Sequence, residues 1–160
     1  MKISTKGEYG IRAMLYLASK QEEGPVTSHE IAVQQGIPEP YLRQILAVLS
    51  RDGLVRSNRG PQGGHLLGRD ATEISLQQVL VSLEGQTTSI DQVLALPCSI
   101  GLGPERCAIR EVFLQVKEAV DGILGGTNLA ELAARQSEIL RRNLSVPRDV
   151  PAPRLPVIRD

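Results

Sequence analysis

Residues 27–69 decide the fold of this chain, and they read TSHEIAVQQGIPEPYLRQILAVLSRDGLVRSNRGPQGGHLLGR. The segment contains two helical patterns separated by a tight turn around Gly36, about three residues long. The second pattern places four apolar residues at helical spacing: Leu42, Ile45, Leu46 and Leu49. Two helices joined by so short a turn, with a glycine in it, are typical of a helix-turn-helix motif.

Residues that start and stop helices support the same assignment. Thr27 or Ser28 can begin the first helix, because Thr27 and Glu30 have the spacing of a capping box. Pro38 suits the first turn of the second helix, and Gly53 suits its C-terminal end. The sequence therefore predicts both ends of each helix.

A glycine-rich β-hairpin is predicted directly after the second helix. Residues 54–57 and 65–67 are strand candidates, and the turn between them is rich in glycine. His65 stands where an aromatic ring would stabilise such a hairpin.

Since aromatic residues make up only 2% of the chain, aliphatic side chains must fill the core, which favours helices. The expected fold is mostly α, a winged helix-turn-helix with a small hairpin wing.

This segment also carries the chemistry expected of a DNA-binding surface. Between positions 41 and 69 there are five arginines and a single acidic residue. On the outward face of the second helix, Arg43 and Gln44 suit guanine and adenine, and Arg59 on the wing suits a narrow minor groove. The wing glycines would let the backbone approach phosphate closely. The predicted DNA contacts are Thr27, Ser28, Glu39, Tyr41, Arg43, Gln44, Arg56, Arg59, Gly60, Gly63 and Gly64.

The remaining segments predict further helices and two irregular regions. Helical patterns cover residues 5–20, 74–83, 108–124 and 128–143. The expected domains are a DNA-binding domain at 1–85, a cysteine-containing loop at 86–107, dimerisation and packing helices at 108–143, and a proline-rich, disordered tail at 144–160.

One helical stripe predicts a homodimer. The helix at 108–124 carries apolar residues in a 4-3 spacing, and the stripe that they form is too apolar to remain in water. The N-terminal domain is complete without this helix, so the stripe is free to pack against a second copy of the chain. The predicted dimer interface comprises Ile109, Val112, Phe113, Val116, Val120 and Ile123.

Composition and missing motifs narrow the function further. Net charge is zero, with 18 basic and 18 acidic residues, so only the local cluster of arginines indicates a nucleic-acid partner. The chain contains no H-E-x-x-H, G-x-S-x-G, C-x-x-C or G-x-G-x-x-G motif, which argues against an enzyme and a nucleotide-binding loop. We expect a cytoplasmic protein, because no signal-peptide pattern or apolar run of about 20 residues occurs.

Several motifs together resemble the Rrf2 family of transcription regulators. They are MKISTKGEYG at 1–10, Tyr41-Leu42, GLVRS at 53–57, Arg59-Gly60-Pro61 and Gly63-Gly64, and the resemblance covers about residues 1–143. It implies a homodimeric winged-helix repressor or activator that binds double-stranded DNA and has a long dimerisation helix. A second hypothesis is a regulator that acts mainly through contact with a metabolic enzyme, without a bound cofactor.

The resemblance also raises the question of an iron–sulfur cluster. Sensing members of the family carry three cysteines before the long helix, whereas this chain has Cys98 and Cys107, with Arg110 where a histidine ligand stands in iron–sulfur regulators. Some relatives recruit a carboxylate near the partner's N-terminus, and Glu8 occupies such a position. Three hypotheses stay open: a cluster held by Cys98, Cys107 and Glu8, a thiol switch or other effector, or no sensing role for the cysteines. Arg43 also replaces an acidic base-reading residue, which predicts a different DNA target.

Overall fold

A computed structural model describes residues 3–60, 63–85 and 107–143. Within these ranges the chain is mostly helical, with one antiparallel hairpin, which confirms the predicted fold class. The elements are α1 (Thr5–Ser19), α2 (Ser28–Gln35), α3 (Glu39–Arg51), β1 (Val55–Asn58), β2 (Gly64–Leu67), a short 3₁₀ helix (Ala71–Glu73), α4 (Leu76–Glu84), α5 (Ala108–Gly126) and α6 (Leu129–Asn143).

Two predicted helix signals act at the ends of α2, whereas the return bond of the predicted capping box, from the Thr27 amide to the Glu30 side chain, is not formed. The Thr27 hydroxyl accepts a hydrogen bond from the Glu30 amide at 3.1 Å and caps α2. Gly36 ends α2 with φ 60° and ψ 40°, a left-handed conformation that glycine adopts at low cost. α3 starts at Glu39, so Pro38 is its N-cap residue rather than a member of the first turn as predicted, and Pro40 stands in that first turn.

The core lies where α1, α2, α3 and α4 meet. The four apolar residues of the α3 stripe are at most 1% exposed, and they pack with Met14 of α1, Ile31 of α2 and Val79 of α4. Burying each such side chain contributes about 1.5–3 kcal/mol. This packing turns the opposite face of α3, with Arg43, Gln44 and Ala47, towards solvent.

The wing is a two-stranded sheet that is tied to the start of α2. Its register pairs Val55 with Leu67 and Asn58 with Gly64. Val26 and His65 exchange backbone hydrogen bonds of 3.0 and 2.7 Å, so the residue before the α2 cap extends the hairpin on its other side. The wing and the helix-turn-helix are therefore joined through the backbone.

The C-terminal helices return to the same core. The backbone at Thr127 and Leu129 bonds to Leu76 and Ile74 at 3.0 and 2.9 Å, and the Leu129 side chain is fully buried. From this point α6 packs against α1, while α5 contacts α4. The domain limits at 85, 107 and 143 stay predictions, and the expected loop at 86–106 and tail at 144–160 lie outside the described residues.

Candidate nucleic-acid interface

The exposed N-terminal part of α3 carries a hydrogen-bonded cluster of three side chains. Arg43 donates from Nε and Nη2 to Oε1 of Glu39, at 3.2 and 2.6 Å. Nδ1 of His29, on α2, donates to Oε2 of the same carboxylate at 3.2 Å. The hydrogen bond from Arg43, and then the one from His29, lower the pKa of Glu39 below its ordinary value. The cluster joins the two helices of the helix-turn-helix at their outer edge.

His65 links the wing to the start of α2. Its Nε2 lies 2.9 Å from the Ser28 hydroxyl, and its Nδ1 lies 2.9 Å from the Ser57 hydroxyl. Burial lowers the pKa of His65 below 6.5, and the nearby positive charge of Arg43 lowers it further. The lowered pKa favours the neutral ring, in which one nitrogen donates and the other accepts. This bridge spans 37 positions of sequence, and sequence spacing carries no signal for it.

An open hollow of about 530 Å³ lies between α2, α3 and the wing. Seven of the predicted DNA contacts line it: Thr27, Ser28, Glu39, Arg43, Gly60, Gly63 and Gly64. Three further lining residues were not among the predicted contacts: His29, Asn58 and His65. The fold thus brings residues from three separate elements to one surface.

The other four predicted contacts lie outside this hollow. Gln44, Arg56 and Arg59 are exposed, on α3, on β1 and just beyond β1. Tyr41 is half-buried, and its ring meets Tyr9 of α1 edge-on with centroids 5.9 Å apart. This contact packs α3 against α1, a role for Tyr41 that the sequence pattern does not predict.

The fold itself requires glycine at two positions of the wing. A Cβ on Gly64 would lie 2.7 Å from the Val26 carbonyl oxygen, and one on Gly63 would collide with the Asn58 carbonyl oxygen. Only glycine fits where β2 approaches these backbones so closely. The approach of these glycines to a DNA phosphate is a separate prediction.

The α5 helix carries two distinct faces. Asp121 accepts a hydrogen bond from Gln77 of α4 at 3.0 Å, which orients one face towards the chain's own core. Phe113 and Val120 share that side and are half-buried within the chain. The other face is exposed and apolar, with Ile109 and Ile123 at 67% and 69% exposure and Val112 and Val116 also exposed. The predicted interface residues therefore divide between an inner and an outer face.

The described residues do not assemble a cluster site. Cys107 is half-buried at the start of α5, and Cys98 lies outside the described residues. The Glu8 side chain is 62% exposed and lies 3.7 Å from the Arg12 guanidinium. No group of three or more His, Cys, Asp or Glu side chains suited to a metal occurs in the described part of the chain. Because four ligands are usual for an iron–sulfur cluster, these donors do not fit one by themselves.

A helix-turn-helix with an attached hairpin wing defines the chain as a winged helix-turn-helix regulator. The family model described as "Iron-dependent Transcriptional regulator", Rrf2, matches residues 3–135. The chain therefore belongs to the Rrf2 family, as its motifs predicted. This membership also confirms the prediction of a DNA-binding transcription regulator rather than an enzyme.

Individual relatives agree with the family match. The HTH-type transcriptional regulator IscR of Serratia proteamaculans (strain 568) is 36% identical over 140 residues, which cover 88% of this chain and 84% of the relative. The HTH-type transcriptional regulator CymR of Bacillus subtilis (strain 168) is 37% identical, with 84% and 91% covered.

Solved structures show the same fold. The structure of CymR, the global cysteine regulator of B. subtilis, superposes with a TM-score of 0.72 at 35% identity, covering 84% of this chain and 98% of that chain. T. potens IscR gives a TM-score of 0.70 at 37% identity, with 87% and 90% covered. Within the described residues, no helix has the length and apolar character needed to cross a membrane.

Proposed function

We propose that this protein is a homodimeric, sequence-specific regulator that inserts α3 into the major groove of DNA and lays its wing along the adjacent backbone. The observation that carries the proposal is the shared surface of α2, α3 and the wing, which gathers Arg43 and six other predicted contacts around one hollow. Transcription regulation through DNA binding already follows from membership of the family. The proposal adds which residues perform it and in what assembly, with the cytoplasm as the site of action.

Base reading falls to α3. Arg43 is exposed and presents guanidinium donors, which pair with the O6 and N7 acceptors of guanine. Gln44, the next exposed residue, offers the amide that suits adenine. Both residues lie near the N-terminal end of α3, the part of a recognition helix that contacts base edges.

Phosphate contacts fall to α2 and the wing. Thr27 and Ser28 stand at the N-terminal end of α2, where backbone amides and the helix dipole favour an anion. Arg56 and Arg59 are exposed on and beside β1, and we assign them to the phosphate backbone that would run past the hollow. These contacts position the protein on DNA, and they make its affinity depend on salt concentration.

We assign the dimer interface to the outer face of α5. Exposed aliphatic residues at positions 109, 112, 116 and 123 form one stripe that the described part of the chain leaves uncovered. Packing two such stripes about a two-fold axis would remove both from water. A dimer would then present two recognition helices to two half-sites on one side of the duplex.

The effector that would control DNA binding is tested separately from DNA binding itself. Iron dependence comes from the family description, and for this chain it is a prediction attached to Cys98 and Cys107. Visible absorbance together with iron and sulfide content after anaerobic purification tests a cluster. DNA affinity of the Cys98→Ser, Cys107→Ser double variant, with and without oxidant, tests a thiol switch.

Selection from a randomised duplex pool tests the function directly. The wild-type chain is expected to enrich a two-fold-symmetric sequence whose half-sites lie about 34–36 Å apart, one turn of DNA. Light scattering of the same sample is expected to give the mass of a dimer. A chain that enriches no sequence would contradict the proposal and favour action through a protein partner, which the names of the relatives do not favour.

A further inference from the structure

We infer that Glu39 is a positioning residue for Arg43, and that it orients the guanidinium to read a single guanine in each half-site. The inference rests on the proposed function, because it assumes that α3 enters the major groove. Its geometric basis is the pair of hydrogen bonds from Nε and Nη2 of Arg43 to one oxygen of Glu39.

These bonds use one edge of the guanidinium and leave another available. Arginine carries five N–H donors in a planar fork. The two donated to Glu39 belong to the side edge, formed by Nε and Nη2. The end edge, formed by Nη1 and the second hydrogen of Nη2, points away from the carboxylate. Two parallel donors on that edge match the O6 and N7 acceptors of guanine.

Glu39 is itself held in place from a second helix. Its other oxygen accepts from Nδ1 of His29 on α2 at 3.2 Å. The Glu39 side chain is 28% exposed, compared with 68% for Arg43, so the carboxylate is recessed and the guanidinium protrudes. An ordinary pair at i and i+4 on a helix lacks such a third partner. This anchoring argues that the orientation of Arg43 is set before DNA arrives.

A carboxylate in this position has opposite effects on the two modes of DNA binding. Its negative charge repels phosphate, which weakens binding to any sequence. Its hydrogen bonds restrict Arg43 to one orientation, which strengthens discrimination for guanine. Removing Glu39 is therefore expected to raise non-specific affinity and to lower base preference. A residue with a merely structural role would lower both when it is replaced.

The test uses the full chain and the site that the wild type selects from a random duplex pool. In that site, each guanine is replaced one at a time by 7-deazaguanine, which lacks the N7 acceptor. Affinities are measured by anisotropy for wild type, Glu39→Ala, Arg43→Ala and the double variant, with a duplex of alternating A·T pairs as the non-specific probe. Glu73→Ala is the matched control, since it removes the same charge from an exposed residue of the 3₁₀ helix, outside the hollow.

One guanine per half-site is expected to show the effect. There the wild type should lose about 10-fold or more in affinity on 7-deaza substitution, and Arg43→Ala should lose this sensitivity. Glu39→Ala should reduce the sensitivity several-fold and bind the A·T duplex more tightly than the control variant does. In the Arg43→Ala background, loss of Glu39 should change base preference no further, because its effect acts through Arg43.

Two outcomes would overturn the inference. The first is full guanine preference in Glu39→Ala, and the second is a parallel loss of specific and non-specific affinity. Thermal melting of each variant within about 2 °C of wild type excludes unfolding as the cause. If the wild type selects no site at all, the proposed function fails before Glu39 is tested, so the two failures are distinct.

Discussion

Two helices of this protein, α3 and α5, carry similar apolar stripes that end in opposite environments. The α3 stripe is at most 1% exposed and forms the centre of the core. The α5 helix has no buried residue, and its outer stripe is exposed. Amphipathic spacing alone therefore does not say where a stripe is buried. One stripe is covered by its own chain, and the other requires an additional surface to leave water.

The comparison predicts a large stability loss at α3 and little at α5. Leu46→Ala is expected to lower the free energy of unfolding by about 2–5 kcal/mol, because it leaves a cavity among fully packed residues. The matched truncation Val116→Ala, on the exposed face of α5, should cost far less in dilute, monomeric protein. Urea unfolding of both variants at low protein concentration measures the difference. Equal losses would show that the two stripes are buried alike.

A charge on the outer face of α5 is expected to separate the dimer. Val116→Asp places a carboxylate in the centre of the stripe, where a partner would have to desolvate it. The variant should be monomeric by light scattering and should bind the selected site at least 10-fold more weakly, since half of the contacts are lost. Gln115→Asp, at the next exposed position but off the stripe, serves as the control. A dimeric Val116→Asp variant would refute the proposed interface.

The wing is expected to contribute a smaller and less selective effect. Arg59→Ala should weaken binding to all sequences and reduce the slope of log K against log salt by about 1, as expected for one phosphate contact. Arg51→Ala, which removes an exposed arginine bonded to Asp52 at the far end of α3, should leave the slope unchanged. Anisotropy titrations over a range of salt concentrations measure both. A change in base preference at one position, with an unchanged slope, would assign Arg59 to base reading instead.

The smallest expected effect is a pH dependence of stability that arises from His65. Its pKa in the folded state lies below 6.5, chiefly because of burial, so the unfolded chain binds the proton more readily. Stability from this group is therefore fully present above about pH 6.5 and is lost as pH falls through the folded pKa. Urea unfolding at pH 7.5 and 5.5 should show a smaller decrease for His65→Gln than for wild type. An equal decrease in both would place the pH dependence elsewhere.

Most of the fold was predictable because its signals are local. Thr27 caps α2, Gly36 ends it and Ser75 caps α4, each through bonds to residues within a turn of the helix. The hairpin likewise follows from a glycine-rich turn between two short strand candidates. The 3₁₀ helix at Ala71–Glu73 was not predicted, since three residues carry no measurable periodicity.

The candidate site was predictable in composition but not in arrangement. Outward-facing Arg43 and Gln44 follow from the buried stripe of α3, because helical geometry relates the two faces. The pairing of Glu39 with His29 and the bridge of His65 to Ser28 do not follow, because the partners belong to different elements. Tyr41 shows the same limit, since its half-buried packing on Tyr9 depends on how α1 crosses α3.

By itself, the sequence determined the order of elements, the helix-turn-helix, the wing and the family. The elements depend on spacings of 2 to 4 residues and on turn residues that act on their own backbone, and the family follows from short motifs such as GLVRS at 53–57. Only the tertiary structure decided that Leu129 enters the N-terminal core, that Phe113 and Val120 face inward on α5, and that three elements share one hollow. The physical reason is that packing joins residues far apart in the chain, and no local spacing records which distant surface will cover a given stripe.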